Sequence, residues 1–75
     1  MAKTKPEKVE INRIKAVLAD KNRKNMWLAE KLNVSVVTVS KWCSNDTQPL
    51  LVTLLEIANA LEVDIRELLI STKSK

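Results

Sequence analysis

The side chains of this sequence that could carry chemistry are cations and short hydrogen-bonding groups, and they concentrate in its amino-terminal half. Residues 1–41 contain ten Lys and Arg against four Asp and Glu, whereas residues 42–75 contain three against five. A basic half of this kind predicts a surface that faces a polyanion, and the more acidic half predicts a surface with a different task. A solvated surface with uneven charge is the alternative at this point.

The residue types on which most enzymes depend are missing from the 75 residues. The sequence has no His and no Gly, its one Cys is Cys43, and no carboxylates are spaced to share a pocket. Zinc needs four ligands, and a phosphate-binding loop needs glycines, so the sequence supplies neither kind of site. We therefore expect no enzyme, no metal, no cofactor and no small-molecule ligand.

The beginning of the sequence, MAKTKPEKVE, is charged and lacks the apolar run of a secretory signal. No segment approaches the ~18 apolar residues that a membrane span needs. A single thiol cannot form an internal disulfide, which fits a reducing compartment. The expectation is a soluble cytoplasmic protein without membrane contact.

The apolar residues recur at helical spacing, and no segment alternates with period two. The predicted fold class is therefore all-α. Residues 1–8 are polar and basic and predict a flexible arm, residues 71–75 predict a frayed tail, and a single domain lies between them over 9–70. The predicted helices cover residues 8–20, 25–32, 35–43, 50–61 and 65–70.

Polar residues mark the ends of these helices. Ser35 is a good N-cap for the third helix, and Asp64 with Glu67 three residues later has the form of a capping box for the fifth. Because the sequence lacks Gly, Asn is the best remaining residue for the left-handed conformation in which many helices end. Three Asn residues stand just past the first three helices, and we predict positive φ at each: Asn22, Asn33 and Asn45.

The second and third helices predict a rigid corner. The apolar residues that face one another across the turn are Leu28, Ala29 and Leu32 on the second helix and Val34, Val39 and Trp42 after it. The small side chain of Ala29 lets the two helices cross closely at a steep angle. This packing makes the third helix a protruding element that fits a DNA major groove, which is about 12 Å wide.

The run Asn25–Trp42, NMWLAEKLNVSVVTVSKW, resembles the helix-turn-helix of the phage repressor/Cro family, also known as the XRE family. Pro49 followed by LVTLLEIANALEV at 51–63 resembles the next helix of that family, in the correct order and spacing. The resemblance covers about residues 9–70. It implies a five-helix lambda-repressor-like domain that binds double-stranded DNA through a recognition helix at about 35–43. It also implies a homodimeric transcriptional regulator, with repression as the expected activity.

The resemblance assigns roles to individual positions. Asn25 stands where a Gln commonly caps the second helix and contacts a phosphate. The outward positions of the recognition helix, where the family meets bases and phosphates, are Ser35, Val36, Val37, Ser40 and Lys41. Thr47 and Gln48 follow in a loop where the family holds the sugar-phosphate chain. The cations expected to add electrostatic attraction beside the motif are Lys21, Arg23, Lys24 and Lys31.

Val36 and Val37 depart from the family, which usually carries polar base-reading residues there. Valines cannot hydrogen-bond a base edge but can pack on thymine methyl groups, which leaves Lys41 as the main candidate for guanine or phosphate. A protein-docking patch or burial in the core are the alternatives for the valine pair. Cys43 is expected to be a partly buried structural thiol. Trp27 is expected to pack against the first helix or a neighbouring loop, with an exposed contact as the alternative.

A monomer of this size offers DNA little surface, and a dimer that reads two half-sites solves this. The last predicted helix has more apolar residues than one small core needs, so we expect the symmetric contact at Ile65, Leu68, Leu69 and Ile70. The fourth helix is the alternative contact. The rival function is a protein-interaction or antitoxin-like module with the same fold, which the valine pair favours and the basic arm opposes.

Overall fold

Residues 9–73 are described by a computed structural model. Its elements are α1 (Ile14–Asp20), α2 (Asn25–Leu32), α3 (Val36–Cys43), α4 (Leu51–Leu61) and one 3-10 turn (Ile65–Leu68). The all-α class is confirmed for these residues, but the prediction of five α-helices is wrong, because the last element is a single turn. The predicted arm at 1–8 lies outside the described residues, as does the end of the predicted tail at 74–75.

The 3-10 turn is short because the chain after it pairs with the segment before α1. Asp64 caps the turn as predicted, since its Oδ1 accepts a hydrogen bond from the Arg66 N–H at 2.8 Å. Leu69 is already extended, with φ −116° and ψ 150°. The Ile70 N–H then donates to the Ile11 carbonyl at 2.8 Å. Helical hydrogen bonds cannot continue through a backbone whose donors are already used in this way.

The same pairing shortens α1, which was predicted from residue 8 and begins at Ile14. The Arg13 N–H donates to the Leu68 carbonyl at 2.8 Å, and Asn12 forms an antiparallel bridge with Leu69. The Asn12 Oδ1 accepts from the Ile14 N–H at 3.0 Å and so satisfies a donor of the first helical turn.

All four α-helices end in the same way. After each helix one residue has a left-handed backbone, and the N–H of the following residue donates to the carbonyl five positions earlier, at 2.9–3.0 Å. The four left-handed residues are Asn22, Asn33, Asn45 and Glu62, with φ of 60–62°. The positive φ predicted at the three Asn residues is confirmed. Glu62 was not foreseen, because Glu has no side-chain feature that favours this conformation.

The core lies where α1, the α2–α3 corner, α4 and the 3-10 turn meet. Its buried apolar residues are Ile14, Val17, Leu18, Leu28, Ala29, Val39, Trp42, Leu54, Ile57, Ala58, Leu61 and Leu68. Leu32 and Val34 are half-buried and pack against this core, as the predicted corner requires. Leu68 is fully buried within the protomer. Its assignment to a dimer contact is therefore wrong, because a side chain with no exposed surface cannot reach a partner.

Two further observations apply to residues 9–73. Among them, no helix has the length and apolar character to cross a membrane. No group of three or more His, Cys, Asp or Glu side chains in this range is placed to hold a metal ion.

Candidate nucleic-acid interface

The outward side of α3 is exposed, whereas its inner side packs on the core. Val39 and Trp42 point into the core, whereas Val36 is 42% exposed and Val37 59% exposed. Ser40 and Lys41 are exposed as well. The structure thus brings four of the predicted DNA-facing residues to one accessible side of one helix. Burial of the valine pair in the core, one of the alternatives above, is wrong.

Ser35 begins α3 as its N-cap, as predicted. Its Oγ accepts a hydrogen bond from the Thr38 N–H at 3.0 Å and lies 2.9 Å from the Thr38 Oγ1. The cap satisfies one of the free N–H groups at the start of α3 and thereby holds the first turn, which carries both valines.

The amino terminus of α2 contacts the carboxyl terminus of α3 through Asn25. Asn25 is the first residue inside the helix, so it does not occupy the N-cap position. That position belongs to Lys24, whose side chain makes no cap hydrogen bond. The predicted cap at Asn25 is therefore wrong. Instead, the Asn25 Oδ1 accepts from the Cys43 thiol at 3.5 Å. Its Nδ2 has no hydrogen-bond partner within residues 9–73, which leaves a donor for a ligand.

Cys43 is half-buried, in agreement with the expected structural thiol. Burial raises the pKa of its thiol above the ordinary value, and the positive charge of Lys15 opposes this shift. The neutral thiol is thus favoured, which suits its role as donor to Asn25. Lys15 itself was not foreseen as part of the site. It lines a shallow groove beside α3 together with Asn25, Ser40, Cys43 and Ser44.

A buried amide network holds the loop between α3 and α4, and sequence reasoning missed its centre. Asn12 and Asn45 are both buried. The Asn45 Oδ1 accepts from the Ile11 N–H at 2.9 Å, from the Asn12 N–H at 3.1 Å and from the Gln48 Nε2 at 2.9 Å. The Asn12 Nδ2 donates to the Trp42 carbonyl at 3.0 Å and to the Gln48 Oε1 at 2.7 Å.

Gln48, which is predicted to contact DNA, takes part in this network. Its Oε1 accepts from Asn12 and its Nε2 donates to Asn45, so the side chain holds the loop, and it remains exposed. Thr47, the neighbouring predicted contact, is exposed on the loop. Its backbone N–H donates to the Lys41 carbonyl at 3.3 Å, which ties the loop to the end of α3. No local sequence pattern identifies Asn12 as part of this network, because its partners in the network, Trp42, Asn45 and Gln48, lie 30 to 36 residues away.

The flank of α2 carries an indole ring between two cations. Trp27 is half-buried and packs against the core. The Arg23 guanidinium lies 4.5 Å above its ring centroid, and the Lys31 ammonium lies 5.7 Å from it. Trp27 also lines a small groove with Lys21 and the end of α4. Packing is therefore the role of Trp27, and the ring holds part of the predicted cation cluster in place.

The comparisons with known proteins agree with this geometry. A family model described as helix-turn-helix matches residues 28–68, so the chain belongs to this family, the XRE-type helix-turn-helix proteins. The chain is similar to a "putative DNA-binding protein" from Bacteroides fragilis, with 52% identity, a TM-score of 0.79, and coverage of 80% of this chain and 97% of that chain.

A transcriptional regulator from Listeria innocua has the same fold, with 24% identity and a TM-score of 0.70. That comparison covers 89% of this chain and 65% of the Listeria chain. Among curated proteins, none matches. The resemblance to the XRE-type helix-turn-helix family that the sequence indicates is therefore confirmed.

Proposed function

We propose that the protein recognises specific sequences in double-stranded DNA by placing α3 in the major groove, and that it acts as a homodimeric repressor in the cytoplasm. The observation that carries this proposal is the accessible side of α3, where Val36, Val37, Ser40 and Lys41 project while the opposite side is anchored in the core. We assign repression because blocking an operator requires nothing beyond occupancy of the DNA.

The side chains on α3 divide between two kinds of base contact. Val36 and Val37 present methyl groups that pack on the C5-methyl group of thymine. Lys41 donates to the O6 and N7 acceptors of guanine or to a phosphate. Ser40 has a shorter side chain and donates to an acceptor close to α3. The expected operator half-site therefore contains thymines close to a guanine.

Contacts to the DNA backbone set the register of α3. Thr47 on the loop and the Asn25 Nδ2 are the polar groups that we assign to phosphates on either side of the groove. Lys15, which lines the groove beside Asn25, joins this set. Three cations, Arg23, Lys24 and Lys31, neutralise further phosphates and release the counterions bound to the DNA. The affinity for DNA therefore falls steeply as the salt concentration rises.

Selection of bound duplexes from a random pool tests this function. The expected result is an enriched site with thymine positions that lose their preference in a Val36→Ala, Val37→Ala double variant. Val9→Ala, which removes the same methyl groups from an exposed valine before α1, is the matched control. Failure of the wild-type protein to bind any duplex in dilute buffer would overturn the proposal.

The second candidate function is a protein-interaction or antitoxin-like module. The exposed valine pair favours it, because methyl groups on a protruding helix also suit an apolar cleft on a protein. A salt titration on random duplex DNA separates the two functions. A steep loss of affinity between low and moderate salt supports DNA binding, and no binding at any salt concentration supports the module.

A further inference from the structure

The beginning of α4 carries four of the ten exposed large apolar side chains of residues 9–73. Leu50 is 74% exposed, Leu51 73%, Val52 61% and Leu55 49%. The core does not need these side chains, since α4 already buries Leu54, Ile57, Ala58 and Leu61 on its inner side. We call Leu50, Leu51, Val52 and Leu55 the α4 patch.

The α4 patch is continuous. Leu51 and Leu55 are four residues apart on the helix and Val52 and Leu55 are three apart, so their side chains are neighbours on one side of α4. Leu50 precedes the helix as its N-cap residue and extends the patch toward the loop. An exposed apolar cluster of this kind marks an interaction site more often than a scattered surface leucine does.

The charge and composition of the α4 patch indicate which kind of partner binds to it. The nine residues 47–55, TQPLLVTLL, contain no charged side chain, and the nearest charge along α4 is the exposed Glu56 at the edge of the patch, four residues after Val52. The four side chains of the patch offer no charge and no hydrogen-bonding group to a phosphate, so the patch is poorly suited to the DNA backbone. The residues outside the described range, 1–8 and 74–75, contain no Leu, Ile, Val or aromatic residue that could cover it.

A second copy of this chain fits these constraints. In a two-fold symmetric contact the same patch faces itself, so a charge within it would oppose an identical charge, whereas an uncharged apolar patch is complementary to its own copy. We infer that the α4 patch is the homodimer interface. This inference rests on the proposed function for its dimeric state and assigns the surface that forms the dimer.

The position of the α4 patch also suits DNA binding. It begins directly after Pro49, on the loop that carries Thr47. Pairing across it brings the corresponding loops of two protomers to neighbouring positions, as recognition of adjacent half-sites requires. The surface predicted from sequence at 65–70 is less suited. Leu68 is buried, Leu69 is only 36% exposed, and Arg66 and Glu67 are exposed beside it.

Sedimentation of charge variants tests the inference. Wild-type protein is expected to form dimers at protein concentrations between low micromolar and near-millimolar. Leu51→Glu and Leu51→Lys are each expected to raise the Kd of the dimer about tenfold or more, because two like charges then face each other across the symmetry axis. An equal mixture of the two variants is expected to form dimers again, because Glu then faces Lys. Leu69→Glu is the matched control, and it is expected to leave the dimer intact.

Leu51 is largely exposed, and a Glu at the first position of a helix is favoured by the helix dipole, so loss of the dimer in Leu51→Glu will not reflect unfolding. The dipole disfavours Lys at this position, so the fold of Leu51→Lys has to be measured. Circular dichroism checks this for every variant. Wild-type protein that stays monomeric over the whole range, a mixture that stays monomeric, or a Leu69→Glu variant that alone dissociates would each overturn the inference.

Binding to a duplex with one half-site separates this inference from the proposed function. The Leu51 variants are expected to bind such a duplex as the wild type does, because one protomer suffices. Wild-type protein that fails to bind DNA but still dimerises through the α4 patch would contradict the proposed function and leave the inference about the interface intact.

Discussion

Two asparagines in the same backbone conformation allow the contribution of the buried amide network to be measured. Asn33 and Asn45 both follow an α-helix, with φ of 60° and 62°. Asn45 is buried and bonded to the segment before α1, whereas the Asn33 side chain is exposed and makes no hydrogen bond within residues 9–73. Replacement of either by Gly relieves the same backbone strain, so the difference between the two variants isolates the side-chain network.

The expected magnitude follows from the groups that Asn45→Gly leaves without a partner. The Asn12 N–H is buried, and a buried donor without an acceptor costs about 1–3 kcal/mol. The Ile11 N–H and the Gln48 amide are only partly buried, so water replaces much of what they lose. Glycine regains up to about 1 kcal/mol at a left-handed position. We expect Asn45→Gly to be about 1–3 kcal/mol less stable than Asn33→Gly, and Asn33→Gly to equal the wild type or exceed it by up to about 1 kcal/mol.

Urea unfolding followed by circular dichroism measures both free energies of unfolding, and thermal melts provide a second reading. For a domain of this size about 1 kcal/mol corresponds to a change in Tm of about 4–8 °C, so the two variants should differ clearly. Equal stabilities for Asn33→Gly and Asn45→Gly would refute the reasoning, because the network would then contribute no net stability. A weaker affinity of Asn45→Gly for DNA at a temperature where it is folded would show that the network also positions Thr47.

Three further predictions concern single side chains. Glu62→Gly should stabilise the protein by about 0.5–1 kcal/mol in the same urea assay, since it removes a left-handed Glu, while Glu62→Ala, which keeps positive φ with a Cβ, should not. Lys41→Ala should weaken DNA binding by about 1–3 kcal/mol in a fluorescence titration, and unchanged affinity would remove Lys41 from the interface. Hydrogen bonds from Arg66 hold the pKa of Asp64 below its ordinary value. The stability that Asp64 contributes is therefore present above its unfolded pKa of about 3.9 and lost as the pH falls through the lower folded pKa. The Tm difference between wild type and Asp64→Asn should thus shrink on acidification, and a constant difference would argue against this coupling.

Much of the candidate site follows from local sequence patterns. Ser35 caps α3 through an N–H three residues away, and the spacing of Val39 and Trp42 decides which side of α3 enters the core. The left-handed conformation at Asn22 likewise depends on its own side chain and the adjacent helix end. These features were predicted because their causes act over a few residues.

The errors come from partners distant in the sequence. The pattern at 65–70 favours a helix, but the backbone of residues 11–13 takes its hydrogen bonds and leaves one 3-10 turn. The hydrogen bond between Gln48 and Asn12, 36 positions earlier, was likewise not predicted. Leu68 has the sequence context of an interface residue but fills the core.

Local sequence patterns are sufficient to predict the α2–α3 corner, the left-handed ends of the first three helices and the side of α3 that faces outward, because periodicity and capping are properties of neighbouring residues. Which polar side chains hold the fold, and which leucines remain exposed on α4, follows only from the tertiary structure. Hydrogen bonding and burial of a side chain depend on what the rest of the chain places beside it, and these neighbours come from segments that no local pattern connects.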